Sequence, residues 1–312
     1  MKTLVRHLQD YLTLRRSLGF KLRETESLLR QFVRFAKKQK IFHLTIRLAV
    51  RWATQPAQAL PATLAARYQI VRLFALYLST VDGRTEVPPA GLLVCRRQRK
   101  PPYFYTDQQV VRLVRTARKL SSAEGLKGPT LSTLLGLVAV TGMRIGEAVA
   151  LDRQHVDLSQ GLLTIHHAKG DRVRLIPLHK SSCTMLRRFE RLRDRICPHP
   201  QTPSFFVSET GGHRLNDNWV RIWFANVSRQ IGLRGSTDRR GPRIHDLRHR
   251  FAIKAMVKWY RTGKDAEAHL PELATYMGHQ HVSDTYWYLS ATPELLQAAT
   301  RRWQRGKGVQ MS

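Results

Sequence analysis

At 312 residues the chain has room for two domains of the usual ~100–200 residues each, and a composition of 42% hydrophobic and 24% charged residues is globular rather than disordered. Lysine and arginine total 53 against 22 aspartates and glutamates, a net charge of +31 shared between residues 1–100 (+15) and the remainder (+16). A charge so far from zero repels itself unless a polyanion offsets it, so both parts require an anionic partner, and nucleic acid is the leading candidate.

A membrane surface is the rival partner. No apolar run approaches the ~20 residues that span a bilayer, and no signal-peptide stretch opens the chain. Cys95, Cys183 and Cys197 are far apart and form no Cys-x-x-Cys, which suits a reducing cytosol without structural zinc. The expected location is cytoplasmic, at the nucleoid, with no membrane partner.

The first ~80 residues read as a helical bundle. Leu4, Leu8, Tyr11 and Leu12 follow helical spacing up to a stop at Gly19, and Leu28, Leu29, Phe32, Val33 and Ala36 repeat it behind Thr25 as N-cap. A third helix starts near Thr45 with Val50 and Trp52, and a fourth follows Pro61 with Leu64, Tyr68, Val71, Phe74, Ala75 and Leu78. The opposite faces carry a basic surface that includes Arg34, Lys37 and Lys38; with so few acids nearby, phosphate contact is the favoured reading over a merely solvated face. Residues 83–104 break the periodicity with Pro88-Pro89, the run Arg96-Arg97-Gln98-Arg99-Lys100, and Pro101-Pro102, an extended basic linker able to contact DNA.

A capping box of Thr106 and Gln109 then opens a second domain. Leu131 to Val140 is a nearly continuous apolar helix ending at Thr141-Gly142-Met143-Arg144-Ile145-Gly146-Glu147. Leu162, Leu163 and Ile165 against Val173, Leu175, Ile176 and Leu178 predict a β-hairpin with Lys169 near its turn. A basic helix over 180–196, a short strand at Phe205-Phe206-Val207, a Gly211-Gly212 turn, a helix over 217–231 and a loop over 234–243 lead to His245-Asp246-Leu247-Arg248-His249. The organisation expected is a core-binding helical domain at 1–82, a linker at 83–104, a catalytic domain at 105–290 and a tail helix at 291–312.

On a helix, residues three apart share a face, so His245 and Arg248 can reach a common point. An arginine offers a planar fork of donors to anionic oxygens, a histidine adds a donor or moves a proton, and a downstream tyrosine is a potential nucleophile. Zinc is the rival use of His245 and His249 at i and i+4, but the glutamate of a His-Glu-x-x-His helix is missing. There is no Walker loop and no acidic cluster of the magnesium-holding kind, and no cofactor is expected.

Four separated segments supply the chemistry: Thr141–Glu147, Ala168-Lys169-Gly170-Asp171-Arg172-Val173-Arg174-Leu175-Ile176-Pro177-Leu178, His245–His249, and Met277-Gly278-His279 followed nine residues later by Tyr288. In this order they resemble the tyrosine recombinase (phage integrase) family over the second domain. The first domain is similar, more weakly, to that family's SAM-like core-binding domain. The resemblance implies a mainly α fold with a small β-sheet in an α+β catalytic domain.

It also implies a site-specific DNA recombinase of the compact Xer or transposon-integrase kind, without an arm-binding module. By the same resemblance, Tyr288 attacks the phosphodiester to form a 3′-phosphotyrosyl link, with Tyr286 as competitor. Arg144 and Arg248 neutralise the non-bridging oxygens. Lys169, or failing it Arg172, protonates the leaving 5′-oxygen. His245 transfers protons and His279 bonds a phosphate oxygen, while Glu147 and His249 brace the site. The partners implied are double-stranded DNA in a C-shaped clamp and other protomers, as a tetramer on two DNA sites, with other recombinases as candidate co-workers. Two alternatives stay open: a DNA-binding accessory subunit with an unused site, and a type IB topoisomerase-like enzyme.

Overall fold

A computed structural model describes residues 4–93, 95, 102–166, 173–238, 241–279, 281, 283–286 and 300. The chain forms two compact units, Met1–Lys100 and Pro101–Ser312.

The first unit is built from helices α1 (Leu4–Ser17), α2 (Arg23–Lys38), α3 (Ile46–Thr54) and α4 (Pro61–Leu78). Their apolar stripes meet in a core of Leu8, Tyr11, Leu12, Leu29, Phe32, Leu48, Trp52 and Phe74. Phe32 and Trp52 pack edge to face at 5.4 Å, and the Arg67 guanidinium covers the Trp52 ring at 3.8 Å while donating to the Trp52 carbonyl at 3.0 Å. Thr45 caps α3 by accepting from the Leu48 amide. Helix α2, however, starts two residues before Thr25, behind Leu22 in the left-handed region at φ 46°. Leu22 packs against the core, and that apolar anchor outweighs the capping preference of Thr25.

Arg34, Lys37 and Lys38 lie exposed on α2. The stretch after α4 is tied back to this unit: the Glu86 carboxylate accepts from the Ile46 amide at 2.8 Å, and the Tyr68 hydroxyl donates to the Pro89 carbonyl at 2.8 Å.

The second unit contains α5 (Asp107–Arg118), α6 (Lys127–Thr141), α7 (Ile145–Val149), a three-stranded sheet, α8 (Lys180–Ile196), α9 (Asp217–Gln230), α10 (Ile244–Arg261), α11 (Leu270–Met277) and α12 (Ser283–Tyr286). Both bonds of the Thr106–Gln109 capping box start α5. Helix α6 is apolar all round because α5, α8, α9 and α10 pack about it. The sheet runs β1 (Val156–Asp157), β2 (Leu162–His166), β3 (Val173–Pro177), antiparallel throughout, with Leu163 opposite Ile176 and Ile165 opposite Arg174.

The strand expected at Phe205-Phe206-Val207 is not one. Only isolated bridges form there, Asp152 with Ser204 and Val207 with Arg214. Phe205, Phe206 and Val207 are all buried, whereas a half-buried strand alternates. The two phenylalanines instead pack at a tilt against Phe189 of α8, and the Phe205 carbonyl accepts from the buried Arg193 at 2.7 Å. No helix among the described residues is long and apolar enough to cross a membrane.

Gly142 ends α6 at φ 65°, and a Cβ there would lie 2.4 Å from Cδ1 of Phe251 on α10. Only glycine allows both the left-handed turn and the close packing of α10. Gly142→Ala should therefore cost about 2 kcal/mol of stability, from backbone strain and steric overlap together. Thermal unfolding checks this: an unchanged Tm would mean that the α6–α10 contact yields freely.

Candidate active site

The site grows from the C-termini of α6 and α11. Arg248, one turn into α10, is 1% exposed, and it donates to the Gly142 carbonyl at 2.7 Å and to the Met277 carbonyl at 2.6 Å. Those carbonyls carry the negative end of two helix dipoles, which stabilises a buried cation that would otherwise be costly to desolvate.

Arg144 approaches the same place from the other side. It donates to the Gly278 carbonyl at 3.0 Å and to Glu147 Oε1 at 2.9 Å. Consecutive carbonyls at the end of α11 thus seat the two arginines. Gly278, at φ 66°, turns the chain so that the His279 amide bonds back to the Ala274 carbonyl. The His279 ring sits with Nδ1 2.7 Å from Oγ1 of Thr285, a residue with no exposed surface.

Glu147 lies between two arginines. It accepts from the Arg144 amide at 2.8 Å and from both terminal nitrogens of Arg174 on β3, at 2.7 and 3.2 Å. Burial pushes its carboxyl up, but the hydrogen bonds from Arg174 and Arg144 more than offset this and leave its pKa below the ordinary value. The start of α10 repeats the device: Asp246, 1% exposed, accepts from the amide and guanidinium of Arg243, three residues earlier. In each case an acid at the third helical position closes half a capping box, since an arginine cannot accept in return.

His245 and His249 sit one turn apart on α10, rings perpendicular at 4.6 Å. His245 keeps an exposed edge. Withdrawal from water, then the positive charges of Arg248, Arg243 and Arg144, lower its pKa to about 4. His249 falls to about 3, through desolvation first and then His245 and its cationic neighbours. Both rings are neutral near pH 7.

The structure brings Arg144, Glu147, His245, Arg248, His249 and His279 to one locality. The shared face expected of His245 and Arg248 is only partly realised, because Arg248 turns into the carbonyl cage while His245 stays exposed. Lys169, Arg172, Tyr288, Arg96, Arg97, Arg99 and Lys100 lie outside the described residues, and so does the side chain of the competitor Tyr286. Nearly all of the tail expected at 291–312 is likewise undescribed. Among the described residues no group of three or more His, Cys, Asp or Glu is placed to hold a metal.

Arg174 and Thr285 are site residues that sequence reasoning did not single out. The signal for Arg174 is positional: it shares a face with buried Ile176 along β3, and a cation on the inward face of a strand implies a buried carboxylate. Thr285 has no comparable local signal, since its partner lies across a turn.

These parts stand in a mainly helical fold with a small sheet, and residues 104–294 match the phage integrase family, to which the chain belongs. Members of that family cut and rejoin DNA strands, and this chain is an enzyme of that class. A putative integrase/recombinase, y4rB, of Sinorhizobium fredii is 42% identical over 98% of both chains. The tyrosine recombinase XerD of Caulobacter vibrioides is 26% identical over 76% of this chain and 73% of its own. Among solved structures, the Tn1549 transposon integrase in complex with transposon right-end DNA has a TM-score of 0.67 at 15% identity, covering 96% of this chain and 99% of that one.

The depressed histidine pKa values give a pH dependence. Between pH ~6.5 and about 4 the unfolded chain binds protons at His245 and His249 that the folded chain refuses, so stability falls as pH drops through that window. The fall in Tm from pH 7 to pH 5 should be smaller in His249→Gln than in the wild type; equal falls would show that His249 is protonated in the folded chain.

Proposed function

We propose that this site performs strand exchange through a covalent 3′-phosphotyrosyl intermediate, with Tyr288 as nucleophile, probed against Tyr286. The observation that carries the reading is the pair of arginines held on the consecutive carbonyls of Met277 and Gly278. Arg144 and Arg248, fixed beforehand, are suited to the non-bridging oxygens of a phosphodiester, whose charge grows as the tyrosine attacks. His245, neutral near pH 7 and with an exposed edge beside them, is placed to accept a proton once a phosphate's negative charge offsets the arginines that lower its pKa. His279 donates to a phosphate oxygen. Lys169, with Arg172 as the fallback, protonates the 5′-oxygen as it leaves, and Glu147 and His249 hold the surrounding side chains.

Energy of the broken bond stays in the phosphotyrosine, so the released 5′-hydroxyl can reverse the step on a new partner strand without ATP or a metal. That economy suits recombination better than hydrolysis. The full reaction requires four protomers on two DNA sites, copies of this chain alone or joined by other recombinases, and serves a mobile element by integration or transposition. The basic surfaces of Arg34, Lys37 and Lys38 and of Arg96, Arg97, Arg99 and Lys100 contact the backbone of double-stranded DNA. The relatives, a putative integrase/recombinase and a transposon integrase in complex with transposon DNA, support both the DNA partner and the mobile-element role.

The test is covalent trapping on nicked duplexes that carry the sequence flanking the gene, comparing wild type with Tyr288→Phe and Tyr286→Phe. A 3′-linked adduct lost only in Tyr288→Phe is expected. Tight binding without an adduct would favour a DNA-binding accessory subunit, and relaxation of supercoils without a preferred site would favour a type IB topoisomerase-like activity.

Arg248→Lys is the informative arginine variant, because alanine would strip the carbonyls of Gly142 and Met277 of their donor. Lysine keeps the charge and loses the fork, and cleavage should fall at least ~10²-fold with DNA affinity nearly unchanged. A parallel loss of affinity would make Arg248 a structural residue.

A further inference from the structure

We infer that Thr285 is a positioning residue that sets the tautomer of His279, an inference resting on the proposal that His279 donates to a phosphate oxygen. Thr285 belongs to α12, has no exposed surface, and places its Oγ1 2.7 Å from Nδ1 of His279. A hydroxyl buried so completely needs a partner, and the imidazole nitrogen is the one it faces.

The direction of that bond decides what the histidine can do. A neutral imidazole carries one proton, on either Nδ1 or Nε2. If Nδ1–H donates to Thr285, the opposite nitrogen presents a bare lone pair, which repels a phosphate oxygen. If the Thr285 hydroxyl donates to Nδ1, the proton resides on Nε2 and that nitrogen becomes a donor. Only the second arrangement serves a phosphate. The threonine therefore acts through the histidine, in the way that the partner of a metal-bound histidine fixes ring and tautomer.

The backbone on both sides of the ring is already anchored. The His279 amide bonds to the Ala274 carbonyl, and the preceding Gly278 carbonyl receives Arg144. The bond to Thr285 restricts rotation of the ring about its side-chain bonds. Thr285 also stands three residues ahead of Tyr288 in the chain, so the same bond links the phosphate-binding histidine to the segment that leads to the nucleophile.

The experiment has two readouts on the full chain labelled with ¹⁵N-histidine, with His279→Gln used to assign the ring. The first is the ¹⁵N spectrum at pH 7 without DNA. Wild type and Thr285→Ser should show Nδ1 unprotonated and Nε2 protonated, and Thr285→Val should show a tautomer mixture. A wild-type ring protonated on Nδ1, or on both nitrogens, overturns the inference, as does an unchanged tautomer in Thr285→Val. The wild-type spectrum decides the matter even if Thr285→Val fails to fold.

The second readout is adduct formation on nicked DNA. Thr285→Val should slow it roughly 10- to 100-fold at unchanged DNA affinity, Thr285→Ser should recover most of the rate, and Thr285→Val should add no further loss in a His279→Gln background. Wild-type rates in Thr285→Val, or additive losses in the double variant, overturn the inference. The expected tautomers in a wild-type chain that forms no adduct would instead overturn the proposed function and leave the positioning role of Thr285 standing.

Discussion

The buried guanidinium of Arg248 is the interaction on which the catalytic unit depends. It holds the Gly142 and Met277 carbonyls at the ends of α6 and α11, so three helices that are separate in sequence are pinned at one point. A single apolar side chain could fill the volume but could not satisfy those carbonyls, and two orphaned acceptors in a buried place would cost several kcal/mol. The same cage dictates the glycines around it. Gly142 must be glycine to let α10 approach, and Gly278 must turn left-handed to bring His279 back over the helix end. Fold and site therefore share their parts.

Much of this was legible in the chain. The helices of the first unit follow from the spacing of Leu8, Leu12, Phe32 and Phe74, because amphipathic periodicity reports burial, and the buried α6 follows from its nearly continuous apolar run Leu131–Val138. The Thr106–Gln109 box, and a helix start near Thr45, could be read from residue type alone. The readings that did not hold were those in which tertiary contact overrides local preference. Thr25 loses the start of α2 to the packing of Leu22, and the Phe205–Val207 run, apolar enough for a strand, is instead a plug beneath α8.

The site shows the same division. Arg144, Glu147, His245, Arg248, His249 and His279 can be picked out by motif, because each stands in a recognisable local context. The roles of Arg174, although it stands within the quoted hairpin segment, and of Thr285 are not marked in this way, because what defines each is a contact made on folding: with Glu147 in another element for the one and with His279 across a turn for the other. Residues that hold functional groups in place are specified by three-dimensional contact, and a one-dimensional pattern records only their type.

Glu147 has a further consequence for the charge balance of the site. The described arginines there, Arg144, Arg174 and Arg248, contribute three positive charges, Glu147 removes one, and His245 and His249 are neutral near pH 7. The remaining charge of two exceeds that of a phosphodiester in its ground state, which is one, and equals the charge of the pentacoordinate species formed when an ionised tyrosine attacks. With the cationic Lys169 of the proposed mechanism added, the charge of the site would still come closer to balance at the top of the barrier than at its foot, which is the condition for binding energy to accelerate a reaction instead of merely retaining its substrate.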